Sequence, residues 1–505
     1  MKMKKIISVM LFVLFAVIAA AALLTACASG ETSGGGNSLL PENGDASGEG
    51  ESESGEPDKE DIFAGIEQIT SGGRQFNILS REDMFDEFYS EAETGEIIND
   101  AIFRRNRTVE ETFDVKINVV NMGPWSEGPI KNSVMAGNGA YDLIDGYAAF
   151  VGNIVSSGLY LNLLDIPHLR LTEPWWSQHA VNELTVNGKL FIVPGDITIN
   201  LWETIMTVFF SKGLLQDFNL EDPYILVKDG KWTLEKLIEM CRGVSADLNG
   251  DGTMYTEDRY GSLLYDDLSF TNFHNAFNIP TTQKDENGIP YLNIDSPDVL
   301  ELAEKMYALA DGSTDGIIYG NRADGFKALY TTNYPIVETS LNMFANDQIL
   351  FYLTILGDAE KLRSMETDFG ILPYPKRTEN QTMYKTSSRD QHTMFGIPID
   401  VKDSEFAGLI TEALCVASNK IVIPTYYDVA LKSKFTRDNE SAEMLDIIRS
   451  GLNFDFGIVF ASQTNSAGWV IRTCVNQPSF NFASTIEKNM NSHNKALAKF
   501  LAAFD

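Results

Sequence analysis

The feature that most limits the fold of this chain is an alternation of strand-like and helix-like segments that starts near Gln75. Residues 76–79 form a mostly apolar run, residues 98–113 place apolar side chains on one helical face, and residues 115–119 alternate apolar and polar side chains. A strand, a helix and a strand within about 45 residues predict a βαβ unit with two parallel strands. The loops that follow such strands are where α/β proteins bind ligands.

Later segments continue this pattern. Residues 141–145 predict a third short strand, which ends at Gly146 and Tyr147. Asn287-Gly288 is typical of a hairpin turn. Ser296-Pro297 predicts a helix start, with serine as the N-cap and proline in the first turn. Together these segments predict an α/β fold.

The composition limits the class of protein and its partners. Hydrophobic residues make up 44% and aromatic residues 11% of the 505 residues, which is typical of a folded chain of several domains. The formal net charge of −32 argues against nucleic acid as a partner, because nucleic-acid phosphates need a basic surface. It also argues against electrostatic binding to an anionic membrane.

The N-terminal segment carries an export pattern. Lysines within the first five residues precede an apolar run over residues 6–24, and the run ends at Leu24-Thr25-Ala26-Cys27. Its length alone leaves a membrane anchor and a cleaved signal open. Its end resembles the lipobox of bacterial lipoproteins, which implies that residues 1–26 are removed and that Cys27 carries a diacylglyceryl group. The alternative is an ordinary signal or membrane helix with an incidental cysteine.

The segment after Cys27 is rich in Gly, Ser, Glu and Asp, so residues 27–73 are expected to be a tether that cannot repay the entropy of ordering. Its flexible part would reach roughly 30 Å. The expected location is the extracellular face of the cell membrane, with the protein held there by its lipid.

The remaining cysteines are Cys241, Cys415 and Cys474, an odd number without CxxC or metal-ligand spacing. One disulfide stays open as an alternative, but the apolar surroundings of Cys415 and Cys474 favour three buried free thiols.

An acidic loop resembles a calcium-binding EF-hand loop. Oxygen-bearing residues at loop positions 1, 3, 5 and 12, a backbone carbonyl at position 7 and a glycine at position 6 match the calcium pattern, and the ligands would be Asp247, Asn249, Asp251, Thr253 and Asp258. An EF-hand has glutamate where Asp258 stands, so Glu257 is an alternative ligand. A single loop favours a structural calcium ion, and the other interpretation is an acidic turn without metal.

Sequence motifs for catalysis are missing. The five histidines are scattered, no HExxH, GxSxG, P-loop or GxGxxG motif occurs, and the many carboxylates single out no glycosidase pair. These observations predict a protein that is not an enzyme. The six tryptophans lie largely in polar contexts, where an indole ring can pack against the apolar face of a sugar. Core packing is the alternative for most of them.

Several segments in order resemble the extracellular solute-binding proteins of family 1, the receptor subunits of carbohydrate-type ABC importers. The resemblance covers residues 74–505, and its segments are Ile97-Ile98-Asn99-Asp100-Ala101-Ile102, Tyr141-Asp142-Leu143, Pro174-Trp175-Trp176, Asn187-Gly188-Lys189-Leu190, Pro194-Gly195-Asp196 and Asp229-Gly230-Lys231-Trp232-Thr233. Near the end, Gly468-Trp469-Val470-Ile471-Arg472 resembles the segment of maltose-binding relatives in which an aromatic residue precedes an arginine.

The resemblance implies a type II periplasmic-binding fold, in which two discontinuous α/β lobes close on a ligand about a hinge. Lobe 1 would comprise residues 74–193 with 314–372, and lobe 2 residues 194–313 with 373–505. The chain would cross between the lobes near Pro194-Gly195-Asp196. The implied partners are a carbohydrate, expected to be an oligosaccharide, and the permease subunits of an ABC importer. The protein is expected to be a monomer.

The implied ligand contacts lie where strands end and where the chain crosses. Tyr147, Trp202 and Trp469 would be stacking platforms, and Arg81, Asp145, Glu203 and Asn342 would bind hydroxyl groups. Trp125 follows one of the first strands, and Asn342 follows a strand predicted at residues 336–338. Two other functions stay open, a surface enzyme that acts on polysaccharide and a receptor for a sensor or for a non-sugar ligand.

Overall fold

The computed structural model describes residues 62–505 except residues 124–126 and 436–437. The predicted lipid-bearing Cys27, the predicted tether up to residue 61 and Trp125 therefore lie outside the described residues. The prediction that the tether extends to residue 73 is wrong for Ile62 and Phe63, whose side chains are buried in the core, with the Phe63 ring 5.0 Å from that of Phe113. One sheet contains, in spatial order, β11, β3, β1 and β2, and these strands are Thr393–Gly396, Leu143–Tyr147, Arg74–Ser80 and Val115–Asn121. We call the part of the protein built on this sheet lobe 1.

The predicted βαβ unit is confirmed. Strand β1 pairs in parallel with β2 from the Arg74–Val115 pair to the Ser80–Asn121 pair, and the helix Ile97–Phe113 connects them. The helix packs Ala101, Ile102, Val109 and Phe113 into the core, because these side chains lie on one face at helical spacing. Strand β3 also runs parallel to β1, and β11 is antiparallel to β3.

A second sheet defines lobe 2. Its spatial order is β10, β4, β9, β5 and β8, with bounds Phe369–Leu372, Met206–Ser211, Ile349–Ile355, Tyr260–Leu264 and Ile317–Tyr319. Strand β4 is antiparallel to both neighbours and all six of its residues are buried, as expected for a strand covered on both faces. The predicted hairpin is confirmed as β6 (Thr282–Lys284) and β7 (Pro290–Leu292) around Asn287-Gly288.

Helices cover both sheets. In chain order α1 to α18 are Phe85–Phe88, Ile97–Phe113, Glu127–Ala136, Ala148–Ser156, Gln178–Leu184, Asn200–Glu203, Lys212–Asp217, Pro223–Lys228, Leu234–Cys241, Leu268–Ala276, Pro297–Ala310, Ile336–Ala345, Asp358–Lys361, Ser404–Ala417, Asn439–Ser450, Phe456–Val459, Val470–Val475 and Phe482–Leu501. The predicted start of α11 is confirmed, since the Ser296 side chain accepts a hydrogen bond from Val299 N.

Three segments connect the lobes. The first runs from Val193, which pairs with Phe395 of β11, to Met206 at the start of β4. The second crossing, residues 373–392, runs beside it, and Met206 N donates to Ser387 O at 2.9 Å and Arg389 N donates to Thr204 O at 2.8 Å. The third is a π-helical stretch, residues 418–435, that continues α14. The first crossing contains the predicted Pro194-Gly195-Asp196.

The lobe boundaries differ from the predicted ones. Strands β8, β9 and β10 fall within residues 314–372, which were assigned to lobe 1, but they hydrogen-bond into the sheet of lobe 2. Conversely, β11 and α14 were assigned to lobe 2, but β11 pairs with β3 and α14 packs on α2 in lobe 1. The chain returns to lobe 1 only at the second crossing, because the central strand β9 completes the lobe 2 sheet between β4 and β5.

Two further expectations can be checked in the described residues. The strand predicted at residues 336–338 is wrong, since these residues begin helix α12. The three buried free thiols are confirmed.

One described helical stretch, Ser404–Val429, is long and apolar enough to span a membrane, but 83% of its most apolar window is buried inside the protein. Its apolarity is thus accounted for by core packing.

Candidate functional site: a cleft between the lobes

A pocket of about 560 Å³, partly open to solvent, lies between the lobes. Both lobes, the second crossing and the C-terminal segment line the pocket, and the main lining residues are Ala148, Ala149, Leu268, Asn272, Arg389, Asp390, His392, Asn453, Phe454 and Trp469. The pocket therefore has the position of a site that a hinge motion opens and closes.

The second crossing carries the most polar wall of the cleft. Arg389 Nη2 lies 2.8 Å from Asp266 Oδ2, and Arg389 Nη1 donates to the Tyr265 hydroxyl at 3.2 Å. Tyr265 and Asp266 directly follow β5, so the carboxyl end of that strand presents them to the cleft. This ion pair fixes the crossing segment to lobe 2.

A second charged group lies beside the first. Arg472 Nε is 3.0 Å from Asp267 Oδ1, and Arg472 Nη1 is 3.4 Å from Asp390 Oδ2. Burial raises the pKa of both aspartates, and the Arg472 charge offsets this effect. The Arg472 guanidinium also lies 4.9 Å from the centroid of the Trp469 ring, within cation–π distance. The indole ring is thus held in place from one side.

The charged side chains of the cleft wall are paired. Arg81 at the end of β1 joins the group, because its Nη1 donates to Gln391 O at 3.3 Å and its Nε lies 3.2 Å from Asp83 Oδ1. Arg389 pairs with Asp266, and Arg472 pairs with Asp267 and Asp390. A further lining carboxylate, Asp455, accepts a hydrogen bond from Thr281 N at 2.6 Å. Such a wall offers many hydrogen-bonding groups without favouring a charged ligand.

Four buried polar atoms around the pocket have no hydrogen-bond partner within the described part of the chain. They are His392 Nε2, Arg389 Nε, Asn453 Oδ1 and Trp469 Nε1. His392 Nδ1 lies 2.7 Å from Arg389 O, which can only accept, so Nδ1 carries the proton and Nε2 is an acceptor. Burial lowers the His392 pKa to about 4, so the ring is neutral near pH 7. The wall therefore holds two unmatched donors and two unmatched acceptors.

Solved structures of other proteins are similar to this one over most of the chain. Three similar chains are an ABC substrate-binding protein from Listeria monocytogenes in complex with cycloalternan (12% identity, 84% of this chain and 99% of that chain, TM-score 0.50), UspC from M. tuberculosis (12%, 83% and 100%, 0.53) and an ABC transporter solute-binding protein from Thermotoga lettingae bound with α-D-tagatose (12%, 84% and 100%, 0.52). This chain has the type II periplasmic-binding fold. The neighbours are consistent with the family resemblance seen in the sequence. No family model and no curated protein matches the chain.

In this periplasmic-binding fold, three of the sequence-predicted residues lie at the cleft. Trp469 lines the main pocket. Arg81 and Tyr147, at the ends of β1 and β3, line a smaller pocket with Phe150, and the Arg81 guanidinium lies 4.8 Å from the centroid of the Tyr147 ring. Trp125 is outside the described residues.

The other four predicted residues lie elsewhere. Asp145 is fully buried at the sheet end, accepts a hydrogen bond from Ser80 Oγ at 2.7 Å, and has its pKa raised to about 6 by burial. Trp202 donates to Asp196 Oδ1 at 3.0 Å and packs behind the crossings, with the Arg449 guanidinium 4.9 Å from its ring centroid. Asn342 is exposed on α12.

Glu203 ends α6 in the first crossing and is also absent from the pocket lining. Burial, followed by the nearby charge of Glu360, raises its pKa to about 7. Its position suggests a part in the stability of the crossing region.

The sequence interpretation missed Asp266, Asp267, Arg389, Asp390 and Arg472. Two signals could have found them. Asp266-Asp267 follows the apolar strand β5 at the edge where α/β proteins bind ligands, and Ser387-Ser388-Arg389-Asp390-Gln391-His392 is a dense polar run between apolar segments. Arg472 was quoted for the family resemblance but not as a contact.

The predicted calcium loop lies away from the cleft, before β5. Asp247 accepts from Gly250 N at 2.6 Å and Gly252 N at 2.7 Å, and these backbone hydrogen bonds lower its pKa. Gly252 has a φ of +78°, which explains glycine at the sixth position. In the described residues, no three His, Cys, Asp or Glu side chains are grouped closely enough to hold a metal ion as they stand.

The two acidic residues at the end of this loop differ in orientation. Asp258 is fully buried, and its two oxygens accept from Leu248 N at 2.9 Å and Tyr255 N at 2.7 Å. Glu257 Oε2 instead accepts from Asn249 Nδ2 at 3.1 Å, and the same amide donates to Asp251 Oδ2 at 3.2 Å. Glu257 is therefore the acid that faces the other predicted ligands.

Proposed function

We propose that this protein is a receptor that binds a neutral saccharide between its two lobes and delivers it to the permease of an ABC importer. The cleft wall is the observation that carries the proposal. Its guanidinium groups are paired with carboxylates, its unmatched atoms include both donors and acceptors, and an indole ring lies among them. A sugar hydroxyl both donates and accepts, and the CH face of a sugar ring packs on an indole.

The ligands bound in structures of the same fold support this proposal. Besides the cycloalternan and tagatose complexes, a cyclo/maltodextrin-binding protein complexed with maltotetraose has the same fold, with a TM-score of 0.51 and 12% identity over 86% of this chain and 98% of that chain. At this identity the shared fold supports the class of function. The identity of the sugar depends on cleft side chains of this chain.

Binding is expected to close the lobes. A ligand shifts such an equilibrium only if it binds the closed form better, and this requires contacts from both lobes. Trp469, Arg389, Asp390 and His392 would contact the ligand from the lobe 2 side and the second crossing, and Arg81 and Tyr147 from lobe 1. Every step is a binding step, so the protein is proposed to act without catalysis.

The lipid anchor supplies the location in this proposal. Cys27 would be acylated and would hold the protein, as a monomer, on the extracellular face of the membrane. Replacing Cys27 by serine should release the protein into the culture medium and remove labelling by a radioactive fatty acid. Retention of the Cys27→Ser protein in washed membranes would contradict the anchor.

A structural calcium ion is a further part of the proposal. Asp247, Asn249, Asp251 and the carbonyl of Thr253 would hold it, and the orientation of the side chains favours Glu257 over Asp258 as the completing acid. Hard oxygen donors of this kind suit calcium, which takes six to eight oxygens in a flexible geometry.

The experiment that tests the receptor function is calorimetric titration of the soluble protein without its predicted signal and tether (residues 62–505, the secreted body) with panels of neutral oligosaccharides, acidic oligosaccharides and peptides. Saturable binding of a neutral saccharide, with the sugar recovered intact afterwards, would support the proposal. Release of shorter products would favour the surface enzyme instead. Binding confined to peptides or acidic sugars would overturn the saccharide class.

A further inference from the structure

A second groove lies on the far side of α17 from the cleft. Helix α17 presents Arg472 to Asp267, and Asn476 just after it donates to Asp267 Oδ2 at 3.2 Å. Val470, Thr473 and Gln477 instead line a groove of about 690 Å³. At 3.6 residues per turn, Val470 and Thr473 share one face of α17, and Gln477 follows the end of the helix, so a single short helix separates the two spaces.

The groove runs between α17 and the first half of α18. Its polar walls are amide and hydroxyl side chains, chiefly Thr473, Gln477, Asn481, Thr485 and Asn489. Its floor is apolar, because Val470, Phe482 and Ile486 are buried beneath those walls.

The lining contains no Asp, Glu, Lys or Arg. This is distinctive on a protein with a formal net charge of −32, where most surfaces carry acidic side chains. A charged ligand finds no carboxylate, ammonium or guanidinium partner in the lining, whose one imidazole, His493, has its Nδ1 3.2 Å from Thr464 O. An uncharged ligand with hydroxyl groups loses nothing by electrostatic repulsion.

Some of these amides have unused hydrogen-bonding capacity. Asn465 at the rim donates to Ser492, and Thr485 donates to Asn481 Oδ1 at 3.3 Å. The side-chain amides of Gln477 and Asn489 make no hydrogen bond to other residues in the described part of the chain. They are free to donate to and accept from a ligand, as each amide has two donors and an acceptor oxygen.

We infer that this outer groove is a second binding site, for a neutral saccharide. The apolar floor receives the CH face of a sugar ring, and the amides on both walls bind its hydroxyl groups. A peptide is the weaker fit, because the walls are helices whose backbone is already paired and which offer no strand edge to a peptide backbone. The inference does not depend on the cleft ligand, since the two sites share only the helix between them.

The test uses the secreted body with Trp469→Ala, which weakens the cleft site, and saturation-transfer difference NMR with millimolar maltotetraose or cellotetraose. Asn489→Arg places a long charged side chain in the groove and should reduce the residual saccharide signal about tenfold. Asn491→Arg is the matched control, because Asn491 is exposed two positions further along the same helix and does not line the groove. It should leave the signal unchanged.

Three results would overturn the inference. The first is that the Trp469→Ala protein gives no saccharide signal. The second is that Asn489→Arg and Asn491→Arg give equal saccharide signals. The third is that only acetylated, amidated tetra-alanine, an uncharged peptide probe, gives a signal that Asn489→Arg reduces. A failure of the cleft proposal is separate from these. It would appear as calorimetric binding that Trp469→Ala leaves unchanged, whatever Asn489→Arg does.

Discussion

Replacing Glu412 by glutamine should destabilise lobe 1 strongly, although glutamine has nearly the same shape. Glu412 lies in α14 and is fully buried. Its carboxylate accepts from Trp175 Nε1 and Trp176 Nε1, both at 2.9 Å, and from Arg170 Nε at 3.0 Å. One carboxylate therefore holds the Trp175-Trp176 segment and the Arg170 guanidinium against α14.

The expected size of the effect follows from these partners. Glutamine keeps one acceptor oxygen but turns an NH₂ group toward donors, and it leaves the Arg170 charge without its carboxylate. Breaking a buried pair in this way costs about 3–5 kcal/mol. An unfolding entropy of ~2.1 cal/mol/K per residue over the described body of roughly 440 residues converts ~4 kcal/mol into a fall in Tm of about 4 °C, if the body unfolds as one unit.

Differential scanning calorimetry measures this directly. Glu405→Gln is the matched control, because Glu405 lies on the same helix with 68% of its side chain exposed and makes a single contact of 3.5 Å to His168. Surface pairs of that kind contribute about 0–1 kcal/mol. If Glu412→Gln melted within a degree of Glu405→Gln, the assignment of Glu412 as the group that holds this part of lobe 1 would be refuted.

Two further predictions concern the calcium loop and the first crossing. Calcium should raise Tm in a chelator-treated sample, Asp251→Ala and Glu257→Gln should remove that rise, and an unchanged melting curve with chelator would contradict the calcium site. Burial raises the pKa of Glu203 to about 7, so the folded state binds this proton more tightly than the unfolded state. The stabilisation that comes from binding this proton is complete below the unfolded pKa of ~4.3 and is lost as the pH rises through about 7. Glu203→Gln should therefore raise Tm at pH 8 more than at pH 5, as measured by thermal melts across that range, and an equal change at both would show that Glu203 does not titrate in this way.

Local patterns made much of the fold predictable. The βαβ unit, the start of α11 at Ser296 and the hairpin around Asn287-Gly288 each depend on neighbouring residues, and all three are confirmed. The partner of a strand depends on the rest of the sheet. Residues 314–372, which contain the short strand β8, were therefore predicted in lobe 1, whereas β8 pairs with β5 in lobe 2.

The candidate site was less predictable for the same reason. Trp202 and Asp145 follow strands or crossings as ligand contacts do, but Trp202 donates its indole N–H to Asp196, and Asp145 is fully buried with its Oδ2 bound to Ser80. Arg472 and Asp267 are far apart in the sequence and meet only when α17 packs beside α10. Sequence patterns predicted residues at the edges of the cleft, whereas the charged residues of its wall could be identified only from the tertiary structure.

The most direct test of the receptor function is calorimetric titration of the wild-type body, Trp469→Ala and Tyr291→Ala with the saccharide that the wild type binds best. Tyr291 is an exposed aromatic residue on β7 and does not line the cleft pocket, so its removal controls for the loss of a surface ring. Trp469→Ala should weaken binding about 30-fold, or ~2 kcal/mol, and Tyr291→Ala should leave it unchanged. Equal affinities in all three proteins, or no saccharide binding by the wild type, would contradict a saccharide receptor that uses this cleft.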